Sequence, residues 1–192
     1  MNACKESALS KLRCDTGRFV EDHGLSSWPS LFKLFLVVEY WAVLYFRLCE
    51  YCAEKPTILR RVFRLFLALG KPFVEGFTSC RLRHGAIIDG GLLLHHSMGV
   101  AIAVGAKVGR NCTMFSGVTI AHKANGKSSG APVIGDNVKL MAGCKILGNV
   151  VLGDNVIVGA NSVVLTDVPA GAIAVGIPAR ILQRDANSLE EQ

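Results

Sequence analysis

The chain has 192 residues, a formal net charge of +6 and a hydrophobic fraction of 51%. This length allows one or two domains, and the apolar surplus suggests extensive self-association or contact with a membrane. No nucleic-acid-binding motif accompanies the basic charge, which therefore argues against nucleic acid as a partner. Seven scattered cysteines are typical of a reducing compartment and favour the cytoplasm.

Two helices are predicted before residue 80. The apolar stretch 31–49 predicts a helix that begins near Ser30. Three charged residues interrupt it, so its uncharged runs are shorter than the ~18 residues that a membrane-spanning helix needs. Residues 57–69 predict a second helix, with Thr57 as its N-cap and a stop signal at residues 70–72, Gly-Lys-Pro.

The surface of these helices allows three interpretations. Arg60, Arg61 and Arg64 crowd one end of the second helix, which is otherwise apolar. The helices could pack on each other and on a partner subunit, or they could rest as a basic amphipathic surface on an anionic inner membrane. A true membrane span is the third and least favoured interpretation.

Aliphatic residues recur every six positions through the C-terminal half. The unbroken series is Ile134, Leu140, Ile146, Leu152, Val158 and Val164. A period of six fits one short flat strand plus one turn, and three such units close one triangular coil of a parallel β-helix. Cys112 and Cys144 fall at a second inward position of the repeat and should behave as small buried hydrophobes.

Two interruptions break the repeat upstream. A two-residue slip lies between Leu94 and Ile102, and eight extra residues lie between Ile120 and Ile134. The segment 122–132 is polar, basic and rich in Gly and Ser, which predicts an extruded loop. We therefore divide the chain into three parts: a helical segment at 1–79 for oligomerisation or membrane contact, a β-helix of about five coils at 80–182, and a polar tail at 183–192.

Four blocks of the repeat region resemble serine acetyltransferases, within the hexapeptide-repeat acyltransferases. The blocks are residues 94–100 (LHHSMGV), 116–120 (SGVTI), 141–149 (MAGCKILGN) and 176–181 (GIPARI). The resemblance implies a mainly β fold, in which a left-handed parallel β-helix follows the helical segment. It also implies acetyl-CoA as co-substrate. The assembly implied is a homotrimer, or a dimer of trimers, with active sites between subunits.

Acyl transfer from a thioester to a hydroxyl needs a base, donors for the oxyanion and a groove for the pantetheine arm. His96 matches the catalytic histidine of the family, so the resemblance makes it the expected base in a direct attack without an acyl-enzyme. His95 stands where the family carries Asp and should point away from His96. His122 opens the loop and is a candidate contact for acceptor or cofactor.

Small residues would line the cofactor groove, because the arm lies along flat coils. Ala142, Gly143 and Ala160 are the candidates, and Lys145 and Arg180 could meet the phosphates. No metal is expected. Carbonic anhydrases of the γ type share the solenoid, but the three-histidine spacing that they use for zinc does not occur here.

The predicted acceptor depends on departures from the family. Gly130 and Ala131 replace an arginine and a histidine of the serine acetyltransferases, Arg81 replaces an aspartate that meets the serine amine, and His95 replaces another aspartate. A site without these charges should bind free serine poorly.

The doubled histidine and the His-Lys loop resemble the exopolysaccharide branch, such as colanic acid acetyltransferases. We therefore expect a sugar hydroxyl, on a lipid-linked precursor at the inner face of the cytoplasmic membrane, with Arg81 or His95 as possible contacts. Serine O-acetylation is the second hypothesis, and a non-catalytic trimeric scaffold is the third.

Overall fold

A computed structural model of the chain describes residues 7–25, 33–34, 36–54, 57–123 and 130–183. Three helices come first: α1 (Ala8–Asp22), α2 (Val38–Glu54) and α3 (Ile58–Thr78). Fifteen short strands follow in the described residues, and they wind into a parallel β-solenoid. The predicted mainly β solenoid behind a helical segment is therefore confirmed.

The strands form three sheets, one on each face of the solenoid. The first sheet contains β1 (Arg81–Leu82), β4 (Ala101–Ile102), β7 (Thr119–Ala121), β10 (Lys145–Leu147) and β13 (Val163–Val164). The second contains β2 (Ile87–Ile88), β5 (Lys107–Val108), β8 (Val133–Ile134) and β11 (Val151–Leu152). The third contains β3 (Leu93–His95), β6 (Thr113–Phe115), β9 (Lys139–Leu140), β12 (Ile157–Val158), β14 (Ile173–Val175) and β15 (Arg180–Leu182). All pairs are parallel except β14 with β15, and successive strands change face, so that three strands make one coil.

The interior of the solenoid is filled by the residues that the repeat predicted. The six aliphatic residues of the unbroken series are each no more than 2% exposed, and Cys112 and Cys144 are fully buried. Burial of these side chains is the main stabilising term of each coil, at about 25 cal/mol per Å² of apolar surface removed from water.

One corner of the solenoid is built by a column of asparagines in the left-handed conformation. Asn111, Asn137 and Asn155 have φ angles of 56°, 57° and 59°, which asparagine tolerates better than most residues. Aspartates cap the neighbouring backbone at the same corner: Asp136 Oδ1 accepts from the Arg110 N–H, and Asp154 Oδ1 from the Asp136 N–H, at 2.7 Å each. In the Gly-x-Asn turn, asparagine thus provides the left-handed conformation. Where the middle residue is aspartate, its carboxylate accepts a backbone hydrogen bond from the preceding coil and links the two coils.

Both irregularities of the repeat appear as departures from the regular coil. The two-residue slip enlarges the corner between β3 and β4, where His96 has a φ angle of 54°. The eight-residue insertion lies between β7 and β8. Only residues 122–123 and 130–132 of the predicted loop are described, and 124–129 lie outside the described residues.

A buried ion pair fastens α1 and α2 to the first coil. Asp15, 0% exposed, accepts hydrogen bonds from the backbone N–H groups of residues 91 and 92 at 2.7 and 2.8 Å. Its other oxygen lies 2.7 Å from Arg47 Nε. Arg47, 1% exposed, donates to the backbone carbonyls of residues 88 and 89 at 2.7 Å each. The two helices therefore complete the hydrogen bonding of the first coil.

The predicted bounds of the helices were wrong. α2 begins at Val38 and not near Ser30, a residue outside the described part of the chain. α3 begins after Thr57, as predicted, but it continues through Pro72 to Thr78. Proline in a helix sacrifices a backbone hydrogen bond, yet Val74 beyond it still faces α2, where it lines a small cavity together with Ala42. Packing on α2 therefore outweighs the local stop signal. Helix α1 was not predicted, because its sequence is polar.

α3 presents an apolar stripe to the exterior. The side chains on this stripe are 50% to 81% exposed: Ile58, Val62, Leu65, Phe66, Leu69, Phe73 and Phe77. Their spacing follows one face of a helix. In the described part of the chain, no helix has the length and hydropathy required to cross a membrane.

Candidate active site

His96 lies at the enlarged corner, directly after strand β3. Its side chain is 86% exposed, and its Nδ1 lies 3.9 Å from Oε1 of Glu39. Glu39 belongs to the first turn of α2, and its side chain is 22% exposed. Ser97, which is buried, donates from Oγ to the backbone carbonyl of Thr78 at 2.9 Å and fixes the corner to the end of α3. An accessible imidazole is thus held beside a carboxylate from a different element.

His95 has a separate set of contacts. Its ring stacks on Phe115 of the neighbouring coil, with ring centroids 4.8 Å apart. Its Nε2 lies 3.5 Å from Oδ1 of Asp22, the last residue of α1. The two histidines therefore contact different carboxylates. Among the described residues, no three His, Cys, Asp or Glu side chains come close enough together to hold a metal ion.

Asp22 and Glu39 were not predicted as site residues from the sequence. Both are distant in sequence from the histidines, and the folding of α1 and α2 over the first coil brings them to the corner. The one available signal was Glu39, a carboxylate inside a strongly apolar stretch. A charge in such a stretch is unfavourable unless it has a partner or reaches solvent.

The other predicted acceptor contacts lie on either side of this corner. Arg81 is exposed on β1, and the backbone N–H of Gly99 donates to the Ser79 carbonyl at 2.9 Å, which brings the corner close to the start of that strand. His122 lies elsewhere: its Nε2 is 2.8 Å from the carbonyl oxygen of Val104, in the turn between β4 and β5. The structure therefore groups Arg81, but not His122, with the enlarged corner.

A flat edge of glycines runs along the solenoid from the enlarged corner. Gly99, Gly117 and Gly143 occupy successive coils with φ angles of 75°, 70° and 73°. They stack so closely that a Cβ on Gly99 would lie 3.5 Å from the Cα of Gly117, and a Cβ on Gly117 would lie 3.4 Å from the Cα of Gly143. The column itself carries no side chains, and the Asn161 side chain packs on Gly143 at its far end, so an extended ligand can approach the backbone at Gly99 and Gly117.

The predicted cofactor residues follow this edge. Ala142 and Gly143 form the turn before β10, and Ala160 is exposed in the equivalent turn before β13. Lys145 is exposed and donates from Nζ to the Gly143 carbonyl at 3.2 Å. Arg180 is exposed on β15, at the far end of the third sheet. Lys145 therefore lies beside the glycine column, and Arg180 lies beyond it.

The buried cysteines take no part in this site. Burial raises the pKa of Cys112 to about 11 and that of Cys144 to about 12. A thiol with such a pKa is protonated at neutral pH, and the thiolate is the nucleophilic form. An acyl-cysteine intermediate at either residue is excluded on chemical and steric grounds.

The six-residue repeat and the three-sheet solenoid define the class of protein. Residues 131–166 match the family model described as bacterial transferase hexapeptide (six repeats). These residues therefore carry the hexapeptide repeat that this family model describes.

Similar proteins and similar solved structures point to a narrower group within this class of transferases. The serine acetyltransferase of Staphylococcus xylosus is 41% identical over 113 residues, which are 59% of this chain and 52% of the relative. The structure of soybean serine acetyltransferase complexed with serine is 28% identical, with a TM-score of 0.74, over 92% of this chain and 70% of the soybean chain. The structure of Brucella abortus serine acetyltransferase in complex with coenzyme A is 26% identical, with a TM-score of 0.74. The match covers 90% of this chain and 66% of the Brucella chain. The chain spans about half the length of the curated relatives that it matches, and serine acetyltransferases are its homologues.

The predicted exopolysaccharide acceptor was wrong, because these relatives are serine acetyltransferases. The error has a physical source. The sequence disfavours serine because acidic residues are replaced within the repeat region, at positions such as Arg81 and His95. The fold brings the carboxylates of Asp22 and Glu39 to the same histidines from the helical segment. The loss of acidic residues from the repeat therefore does not leave the site without carboxylates.

Proposed function

We propose that the chain is a serine O-acetyltransferase that transfers the acetyl group of acetyl-CoA to the serine hydroxyl. The observation that carries the proposal is the exposed His96 beside Glu39, at the head of a glycine edge, in a chain whose homologues are serine acetyltransferases. A product of this kind, O-acetylserine, is a precursor in cysteine biosynthesis.

His96 acts as the general base. As the serine oxygen attacks the thioester carbonyl, His96 takes the hydroxyl proton, and the new bond joins the serine oxygen to the acetyl carbon. The tetrahedral intermediate collapses by breaking the carbon–sulfur bond, and the CoA thiolate leaves with the proton that His96 returns. Glu39, whose Oε1 lies 3.9 Å from Nδ1, orients the imidazole by electrostatic attraction and not by a hydrogen bond, so that Nε2 faces the acceptor.

The charged groups of serine require partners of opposite charge. Asp22, beside His95, is the carboxylate available for the ammonium group, since Glu39 is assigned to His96. Arg81, exposed on β1 near the same corner, is the cation available for the serine carboxylate. This assignment uses side chains from the helical segment and from the first coil together.

Acetyl-CoA lies along the glycine edge, with its thioester at the enlarged corner. Ala142, Gly143 and Ala160 leave room for the pantetheine arm, and Lys145 and Arg180 are placed to meet phosphates. The edge is open to solvent in a single chain. We therefore assign the other wall of the groove to a neighbouring subunit of a homotrimer, either alone or paired as a dimer of trimers.

The exposed stripe of α3 has two possible partners in this proposal, a neighbouring copy of the chain or an anionic membrane surface. A neighbouring copy is the better fit, because Arg64 and Lys71 lie on the side of α3 that faces α2 and not on the stripe. Vesicle co-sedimentation distinguishes the two. The six described cysteines, which are all free, support a cytoplasmic location.

The test is CoA thiol release from acetyl-CoA with and without free L-serine. We expect serine-dependent release in the wild type and a loss of 100-fold or more in His96→Ala. Threonine and glycine serve as matched acceptors, one with an added methyl group and one without a hydroxyl. A folded protein that releases no CoA with serine would overturn the proposal and favour a non-catalytic scaffold.

A further inference from the structure

A cavity lies between α2, α3 and the first coil of the solenoid, and we name it the α2–α3 pocket. Its volume is ≈ 390 Å³. The residues that matter to its chemistry are Tyr45, Cys49, Arg64, Leu67, Lys71 and His84. None of the four residues around the enlarged corner, at positions 22, 39, 95 and 96, lines it. The pocket is therefore separate from the proposed acetyl-transfer site.

The floor of the pocket is apolar and its walls are fixed. Phe46 and Leu67 contribute from the two helices, and Ala53 and Ala68, which are exposed, lie at the mouth of the pocket. The Tyr45 hydroxyl donates to the backbone carbonyl of Leu67 at 2.7 Å, which ties α2 to α3 across the cavity. A volume of a few hundred Å³ with mostly apolar walls is typical of sites for small organic molecules.

Two cations line the pocket without a close ion pair: Arg64, which is exposed, and Lys71, which is half-buried. Lys71 Nζ lies 3.7 Å from Oε1 of Glu75, a weak ion pair. Within the described part of the chain, Arg64 makes no hydrogen bond or ion pair. Glu50 is the acidic residue among the lining side chains, and it is already engaged by Lys11 at 2.7 Å and by Arg47 at 2.8 Å.

Two titratable groups in the pocket respond to this positive charge. The pKa of His84 is lowered, first by burial and then by the charges of Lys71 and Arg64. The pKa of Cys49 is raised by burial, and the same two cations oppose that rise. Both groups therefore experience the positive charge of Arg64 and Lys71. An anion bound in the pocket would be attracted by the same two charges.

We propose that the α2–α3 pocket binds a small organic carboxylate, with its charged group at Arg64 and Lys71 and its apolar part on the floor. The planar guanidinium offers two parallel N–H donors that match the two oxygens of a carboxylate. Inorganic phosphate is the poorer fit, because it would set polar oxygens against apolar walls. The site takes a ligand class that the acetyl-transfer reaction does not require.

The test is isothermal titration of the full chain with hexanoate at constant ionic strength. Acetate, inorganic phosphate and hexylamine are the comparison ligands, because they remove the apolar part, the carboxylate and the negative charge respectively. We expect saturable binding of hexanoate, weaker binding of acetate and phosphate, and no binding of hexylamine.

Matched variants locate the site. Arg64→Gln should weaken hexanoate binding at least tenfold, and Ala68→Leu should hinder it by narrowing the mouth of the pocket. Arg61→Gln is the control, because Arg61 is exposed on the same helix but does not line the pocket. Circular dichroism establishes that each variant is folded.

Three results would overturn the inference: no saturable binding of hexanoate, unchanged affinity in Arg64→Gln, or phosphate binding as tight as hexanoate binding. These measurements record binding and not turnover. If the chain does not acetylate serine, the binding results still test the pocket. If hexanoate does not bind, the acetylation assay still tests the proposed function.

Discussion

The conformation of His96 marks it among the residues of the repeat. Left-handed residues elsewhere in the coils are glycine or asparagine, whereas His96 adopts a φ angle of 54° with a bulkier side chain. Such a conformation is unfavourable for most residues and is concentrated at functional sites. The two extra residues of this corner turn the imidazole outward, which a regular six-residue turn does not do.

Replacing His96 by asparagine removes the imidazole base while the left-handed backbone conformation at this position is retained. Asparagine accepts the left-handed conformation, so we expect the melting temperature of His96→Asn to stay within a few degrees of the wild type. Serine-dependent CoA release should fall 100-fold or more, because the base is lost. His122→Asn is the control, since His122 contacts a different corner. A His96→Asn rate within tenfold of the wild type would remove His96 as the base.

The two carboxylates should have different kinetic effects. Glu39→Gln should lower kcat about tenfold with little change in the KM for serine, because Glu39 orients the base. Asp22→Asn should raise the KM for serine more than it lowers kcat, because Asp22 receives the ammonium group. Steady-state kinetics at saturating acetyl-CoA measure both. The assignment is wrong if the two variants show the opposite pattern.

At the scale of elements, the buried pair of Asp15 and Arg47 should be the strongest polar link between helices and solenoid. Asp15→Asn removes the buried carboxylate partner of Arg47 and leaves it only the more exposed Glu50, so we expect a loss of about 3 kcal/mol in the free energy of unfolding. Glu75→Gln, which breaks the partly exposed pair with Lys71, should cost less than about 1 kcal/mol. Urea denaturation measures both. Equal losses would show that the buried pair is not the link.

The strands were easier to predict than the helices. Each coil is specified by near neighbours in sequence, because an inward aliphatic residue such as Leu140 pairs with Val158, the equivalent residue in the next coil along the chain. The end of α3 is specified by tertiary packing: Gly70 and Pro72 indicate a stop, but Val74 and Thr78 extend the contact with α2 and the first coil. Periodicity therefore located the solenoid well and the helix bounds poorly.

The candidate site was predictable only where it lies within the repeat. The resemblance located His96, and the slip after Leu94 indicated an irregular corner. Asp22 and Glu39 were not found, because no local pattern encodes which helical residue reaches a distant strand end. The error in the predicted acceptor arose from the same gap.

For the whole molecule, we expect a trimer in solution. The glycine edge is open along its length, and the α3 stripe exposes large apolar side chains that a neighbouring chain can cover. Light scattering after gel filtration should give three or six times the chain mass of 20.6 kDa. Leu69→Asp, on the stripe, should weaken the assembly, whereas Arg61→Gln should not. A monomer that acetylates serine at full rate would contradict this expectation.

The helical segment also limits how far the solenoid can grow. β1, β2 and β3 are the outermost strands of their sheets at one end, and unpaired strand edges recruit further strands. Arg18 donates to the carbonyls of Gly91 and Cys112 at 2.6 and 3.2 Å, and Arg47 and Asp15 occupy neighbouring backbone groups. Without α1 and α2, the first coil would offer a template on which the last coil of another molecule could stack. The same contacts that bring carboxylates to the histidines thus protect the protein from growing end to end into a fibre.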